Sequence, residues 1–117
     1  MDILVYGIPS CGTVKKARAW LDAAGLAHRF VDLRATPPSR EQVDAWVARF
    51  GTKVLRNTSG GSYRALGPEK DTWTDAAWAA AFAADPMLIK RPVVERGGAP
   101  VIVGWTLSDE ALRATLR

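Results

Sequence analysis

Ile3-Leu4-Val5-Tyr6-Gly7-Ile8-Pro9-Ser10-Cys11-Gly12-Thr13-Val14-Lys15-Lys16 is the stretch that decides the architecture. Its first four residues are a short apolar run bounded by Gly7 and Pro9, the pattern of a strand buried on both faces. Beyond the turn, Val14, Ala17, Leu21 and Ala24 recur at helical spacing, and Gly25 stands where a helix C-cap belongs. His28 to Leu33 reads as a second strand. Strand, helix and strand in that order predict a parallel pair joined by a crossover helix, since a tight turn cannot join parallel strands.

Downstream, Ser39 and Gln42 form a capping box after Pro37-Pro38, and Val43, Trp46, Val47 and Phe50 make the buried stripe of a helix ending at Gly51. From Lys53 to Pro68 the periodicity is lost, and Asn57, Ser59, Gly60, Gly61 and Gly67 predict a loop. Thr74 caps an alanine-rich helix through Trp78 and Phe82 that stops near Asp85-Pro86. Pro92-Val93-Val94 and Val101-Ile102-Val103 flank Gly97-Gly98 as an antiparallel hairpin. Ser108, Asp109 and Glu110 open a last helix carrying Leu112 and Leu116, its two acids at the positive end of the dipole rather than a catalytic pair. The order βαβ, two helices, ββα predicts an α/β, thioredoxin-like fold with a mixed sheet. A helical region is inserted at about residues 36–86 of a single domain, 1–117.

Composition narrows the function. With 48% hydrophobic and 24% charged residues the chain is an ordinary globular one, and no apolar run approaches the ~18–20 residues of a membrane span, so no membrane partner is expected. Asp2 stands where a signal peptide would carry lysine or arginine, and the start reads as the first strand of a cytoplasmic protein. The net charge of +4 is spread from Lys15 to Arg117 rather than clustered, so no direct nucleic-acid partner is expected. One cysteine excludes an internal disulfide, and Cys11 with His28 cannot build a four-ligand metal site, so no metal is expected. A redox role for Cys11 therefore requires a second thiol from another molecule.

Cys11 lies between the first strand and the first helix, where unpaired backbone N–H groups and the positive end of the dipole favour thiolate over thiol. The N–H groups of Gly12 and Thr13 are the expected donors, with Lys15 and Lys16 adding positive charge nearby. Free cysteines are often small buried hydrophobes, but position argues for a reactive one here. Arg56 and Arg64 fall in the loop-rich segment, and Arg91 is held extended by Pro92. An arginine fork suits carboxylate, sulfonate or arsenate, yet eleven arginines are present and the residues alone single out none. His28 reads as structural. The five tryptophans read as packing, and Ser59-Gly60-Gly61-Ser62 lacks the frame of a phosphate loop.

Taken together, Tyr6-Gly7-Ile8-Pro9-Ser10-Cys11-Gly12-Thr13, Thr36-Pro37-Pro38-Ser39-Arg40-Glu41, Leu55-Arg56-Asn57-Thr58 and Ile89-Lys90-Arg91-Pro92-Val93-Val94 resemble, in order and distance, the arsenate reductase (ArsC)/Spx family. The resemblance covers essentially the whole chain and is strongest to the YffB-type branch, with its single motif cysteine. It implies a thioredoxin-like fold with a helical insertion and a cis proline at Pro92. It also implies a thiol reductase in which Cys11 is the nucleophile and glutathione the cosubstrate, with glutaredoxin as a possible partner. Gly12, Thr13, Lys15, Arg56, Arg91 and Pro92 would then form the anion-binding surroundings. Arg56 and Arg91 match two of the three arginines that surround arsenate in the reductases, while Gly104 falls about where the third belongs. The Spx branch binds RNA polymerase and senses oxidation through a Cys-x-x-Cys pair. Here the second position of that pair is Val14, so the resemblance offers a polymerase-binding regulator only as an alternative.

Overall fold

The computed structural model describes all 117 residues, 1–117. Strand β1 (Ile3–Gly7) leads into helix α1 (Gly12–Ala23), and β2 (Arg29–Asp32) returns parallel to β1 with Leu4 opposite Arg29 and Gly7 opposite Asp32. The hairpin of β3 (Val93–Arg96) and β4 (Ala99–Val103) adds to the other edge of β1, giving the order β2-β1-β3-β4. β3 runs antiparallel to β1, and Tyr6 faces Val93. Helix α6 (Asp109–Leu116) closes the chain behind a Ser108 cap that accepts from the Ala111 N–H. The predicted mixed sheet and βαβ…ββα order are thus present.

The chain divides into two compact units, the first discontinuous: Met1–Asp32 with Arg91–Arg117, and Leu33–Lys90. In the first unit, Ile3 and Val5 of β1, two residues apart and hence on one face, meet Val94 and Ile102 from the hairpin. Leu21 of α1 and Leu112 and Leu116 of α6 join that cluster, so both helices cover the same face of the sheet. Burying each of these side chains contributes about 1.5–3 kcal/mol. Trp20 Nε1 donates to Asp109 Oδ1 at 3.0 Å, tying α1 to the start of α6. Tyr6 donates its hydroxyl to the buried carboxylate of Glu95 at 2.9 Å, a long-range pair that neither residue's sequence neighbours announce.

In the second unit, α2 (Arg40–Phe50) starts with the predicted capping box, Ser39 accepting from the Gln42 N–H while the Gln42 side chain accepts from the Ser39 N–H. Val43 and Trp46 are buried, and α2 packs against α5 (Asp75–Ala84), which presents Trp78, Ala79 and Phe82. Thr74 caps α5 by accepting from the Ala77 N–H. The expected loop between these helices is instead folded into short turns: α3 (Thr52–Leu55), α4 (Gly61–Arg64) and a 3-10 turn at Pro68–Thr72. A single helical turn is too short to show periodicity, so these elements leave no pattern in the sequence.

Candidate active site

The end of β1 and the start of α1 are held close together. A Cβ on Gly7 would lie 2.5 Å from Val14 Cγ2, so only glycine lets the strand pass the first turn of the helix. The Cys11 N–H donates to the Ile8 carbonyl at 3.2 Å, and Cys11 itself is the N-cap of α1, with extended backbone (φ −75°, ψ 122°). An N-cap side chain faces the N–H groups two and three residues on. As a neutral thiol, a weak acceptor, Cys11 closes no cap hydrogen bond. As a thiolate it meets the N–H groups of Val14 and Thr13.

β-sheet pairing brings the second element of the site. Because Tyr6 faces Val93 at the end of the antiparallel β1–β3 pair, residues 91–92 continue past the end of β1, toward the Cys11 loop. The Arg91–Pro92 peptide is cis, as the family resemblance implied, and the Pro92 carbonyl accepts from the Gly104 N–H at 2.8 Å. Burial pushes the Cys11 thiol up, but hydrogen bonds from the Val14 and Thr13 N–H groups and from the Arg91 side chain, with the Arg91 charge, outweigh it and hold the thiol below its ordinary value. Cys11 is part-exposed, so an incoming sulfur can reach it.

The groups that lower the Cys11 thiol differ in part from those expected. The donors are Thr13 and Val14 rather than Gly12 and Thr13, because Cys11 occupies the cap position and the orphan N–H groups it faces lie one residue further on. Lys15 and Lys16 are exposed, and the side-chain charge that acts on the sulfur is that of Arg91. Gly104 has φ +76°, a conformation that side chains larger than glycine rarely adopt, so a backbone requirement occupies the third-arginine position.

Arg56, in the second unit, is held by its own surroundings. Its Nη2 donates to Thr52 Oγ1 at 3.2 Å, and its guanidinium carbon lies 4.0 Å from the centroid of the Trp78 ring. Its backbone forms a bridge with Ile89, flanked by Lys90 N–H to Leu55 O at 2.7 Å and Asn57 N–H to Leu88 O at 2.8 Å. The sequence does not mark Thr52 and Trp78 as partners of Arg56, nor Asp75 as the acceptor of the Thr52 hydroxyl. The i,i+4 spacing of Thr52 and Arg56 was the only signal there to find. Arg64 is exposed and donates to the Ser59 carbonyl, closing its own loop. His28 Nδ1 donates to the Leu26 carbonyl at 3.1 Å. No group of three or more His, Cys, Asp or Glu side chains comes together to hold a metal ion, and no helix is long and apolar enough to cross a membrane.

A family model described as the ArsC family matches residues 6–113. The uncharacterized protein YusI of Bacillus subtilis (strain 168) is 33% identical over 109 residues, 90% of this chain and 92% of YusI. An arsenate reductase of Escherichia coli is 30% identical over 95 residues, 80% of this chain and 67% of the reductase. Among solved structures, the YFFB (PA3664) protein superposes with a TM-score of 0.87 at 36% identity, over 98% of this chain and 99% of that one.

Proposed function

The chain belongs to the ArsC family, and on that premise we propose that it is a glutathione-dependent thiol–disulfide oxidoreductase with Cys11 as its nucleophile. The carrying observation is a lone cysteine placed as a helix N-cap before Thr13 and Val14 N–H groups and the Arg91 side chain, in a chain with no second thiol. Such surroundings stabilise a thiolate and the same sulfur as a leaving group.

In the first step the Cys11 thiolate attacks a sulfur of a glutathione-containing disulfide. The S–S bond breaks, Cys11 forms a mixed disulfide with glutathione, and the displaced thiolate takes a proton from solvent. A second glutathione thiolate then attacks the mixed disulfide, releasing glutathione disulfide and restoring Cys11. One glutathione thiol is oxidised, the glutathione of the substrate disulfide leaves with it as glutathione disulfide, and the other half of the substrate disulfide leaves as a thiol. Arg91 holds the reacting sulfur as its anion, and Arg56 is the cation of the second unit proposed to bind a carboxylate or oxyanion. Glutaredoxin is an alternative acceptor of the mixed disulfide. A thiol that depends on outside glutathione suits a reducing compartment, and the cytoplasm is the proposed location.

The test is exposure to glutathione disulfide followed by intact mass, with a coupled disulfide-reduction assay. Wild type should gain one glutathione and turn over. Full activity in Cys11→Ser, or no adduct on wild type, would overturn the proposal. Arsenate reduction is a second reading, favoured by the likeness to reductases of that name. With glycine at position 104 the anion lacks one charged hydrogen bond, worth about 1.5–3 kcal/mol. At about 1.4 kcal/mol per tenfold, arsenate turnover should fall roughly ten- to a hundredfold below that of a three-arginine site.

A further inference from the structure

Helix α1 carries its charges against its own dipole. Where α2, α5 and α6 each have an acid in the first turn, α1 has none, and Lys15, Lys16 and Arg18 follow within its first two turns. Cations at the positive end of a helix cost stability, so folding does not account for them. Val14, Ala17 and Leu21 take the buried side of α1. Lys15, Arg18 and Asp22, spaced i, i+3 and i+7, form one exposed stripe, and Cys11 stands one turn before Lys15. At 1.5 Å per residue, Lys15 and Arg18 lie roughly 6 and 10 Å along the axis from Cys11. Side chains of a helix tilt toward its N-terminus, here the cysteine end.

Neither cation is neutralised: Lys15 and Arg18 have no carboxylate at ion-pair distance. Arg18 rests its flat face on the Phe30 ring, 4.5 Å from the centroid, which steadies the guanidinium while its N–H edges stay in solvent. Phe30 is itself packed against the core of the first unit. Asp22, at the far end of the stripe, turns to His28 Nε2 at 4.0 Å, and Asp32, opposite Gly7 at the end of β2, is already engaged. The side-chain charge that acts on the sulfur is that of Arg91, so the charge of the stripe is left for parts of a substrate away from its sulfur. Both carboxylates of glutathione are several bonds from the sulfur.

We propose that Lys15 and Arg18 are specificity-determining residues: they receive carboxylates of the disulfide that Cys11 attacks and select acidic disulfides over neutral and cationic ones. Every group involved belongs to the first unit. This rests on the reading above that Cys11 attacks a glutathione-containing disulfide, and it adds the charge class of the substrate.

The probes are glutathione disulfide and dithiodibutyrate, both acidic, hydroxyethyl disulfide, neutral, and cystamine, cationic. With each, Cys11 forms a mixed disulfide with one half, and the other half leaves as a thiolate that takes a proton from solvent. Second-order rates of adduct formation are followed by intact mass in wild type, Lys15→Gln, Arg18→Gln, the double variant and Lys16→Gln. Lys16 lies about 100° round the helix from Lys15, off the stripe, and reports the effect of net charge alone. Lys15→Gln and Arg18→Gln should each lower the ratio of the glutathione disulfide rate to the hydroxyethyl disulfide rate roughly two- to fivefold, the size of an exposed charge pair. Each should raise the corresponding ratio for cystamine. Lys16→Gln should move both ratios less. Raising salt from about 0.05 to 0.5 M should bring the wild-type ratio toward that of the double variant. An unchanged ratio in the double variant, or an equal fall in Lys16→Gln, overturns the proposal. So does an iodoacetamide pH profile that shifts in Lys15→Gln, since the lysine would then act on the sulfur itself. If glutathione disulfide gives no adduct while dithiodibutyrate still reacts faster with wild type than with the double variant, the glutathione reading falls and the stripe stands. If no probe forms an adduct, both fall.

Discussion

Gly7→Ala adds a single methyl group, yet it should damage both stability and chemistry. The new Cβ would sit 2.5 Å from Val14 Cγ2, 3.2 Å from Cγ1 and 3.4 Å from Cβ, so the whole isopropyl group opposes it. Val14 is fully buried in the first turn of α1, and a β-branched side chain in a helix has one strongly preferred rotamer, so rotation gives no relief. The strain must pass into the backbone, at the overpacking cost of about 1–3 kcal/mol. For a chain near 100 residues that lowers the melting temperature by roughly 4–8 °C per kcal/mol, or about 10 °C in the middle of the range. Because the Val14 N–H is one of the donors that hold the Cys11 thiolate, pushing Val14 away should also move the pH profile of Cys11 alkylation upward. The assay is circular-dichroism melting beside iodoacetamide rates at several pH values. Val14→Ala removes the two methyls that clash, so Gly7→Ala should cost much less in that background, a coupling that separates this clash from a general loss at Gly7. A melting temperature within about 2 °C of wild type, or equal penalties in both backgrounds, would refute the packing argument.

Other expectations follow from the same geometry. Arg91→Gln removes a hydrogen bond and a positive charge from the thiolate, so the alkylation profile should shift to higher pH; an unshifted profile would leave the helix terminus as the sole cause. The folded state holds the thiolate more readily than the unfolded chain, so the Cys11 contribution to stability is complete above the unfolded thiol value of about 8.5. It is lost as pH falls through the lower folded value. The melting difference between wild type and Cys11→Ser should therefore grow with pH across that window and level off above it. Gly104→Arg forces a side chain into φ +76°, costing about 1–2 kcal/mol, and should lower the melting temperature without raising arsenate turnover; a gain in turnover would show that the backbone there adapts.

The elements with long periodicity or explicit caps were legible in the sequence: the βαβ start, the Ser39 box, the Thr74 and Ser108 caps and the hairpin. So was the position of Cys11, because a strand-to-helix junction is a local feature. What the sequence left hidden is non-local or one residue wide. The pairing of β1 with β3 joins segments about ninety residues apart, and no spacing rule encodes it. The donors to the sulfur shifted by one position because a cap assignment is a one-residue matter. Trp78 was read as packing, and it is in the core, but its face also carries Arg56, twenty-two positions earlier in the sequence. Buried aromatic residues look alike in sequence whether or not a cation rests on them.

The discontinuity of the first unit has a consequence for biosynthesis. Cys11 leaves the ribosome eighty residues ahead of Arg91, and the whole of the second unit is made in between. At ~5–20 residues per second that interval is roughly 4–16 s. Throughout it the nascent chain holds a cysteine without its arginine and a β1 without its antiparallel neighbour, so its thiol is less ionised and its central strand has an open edge. Translation order thus delivers Arg91, one of the groups that favour the thiolate, together with the strand that shields β1.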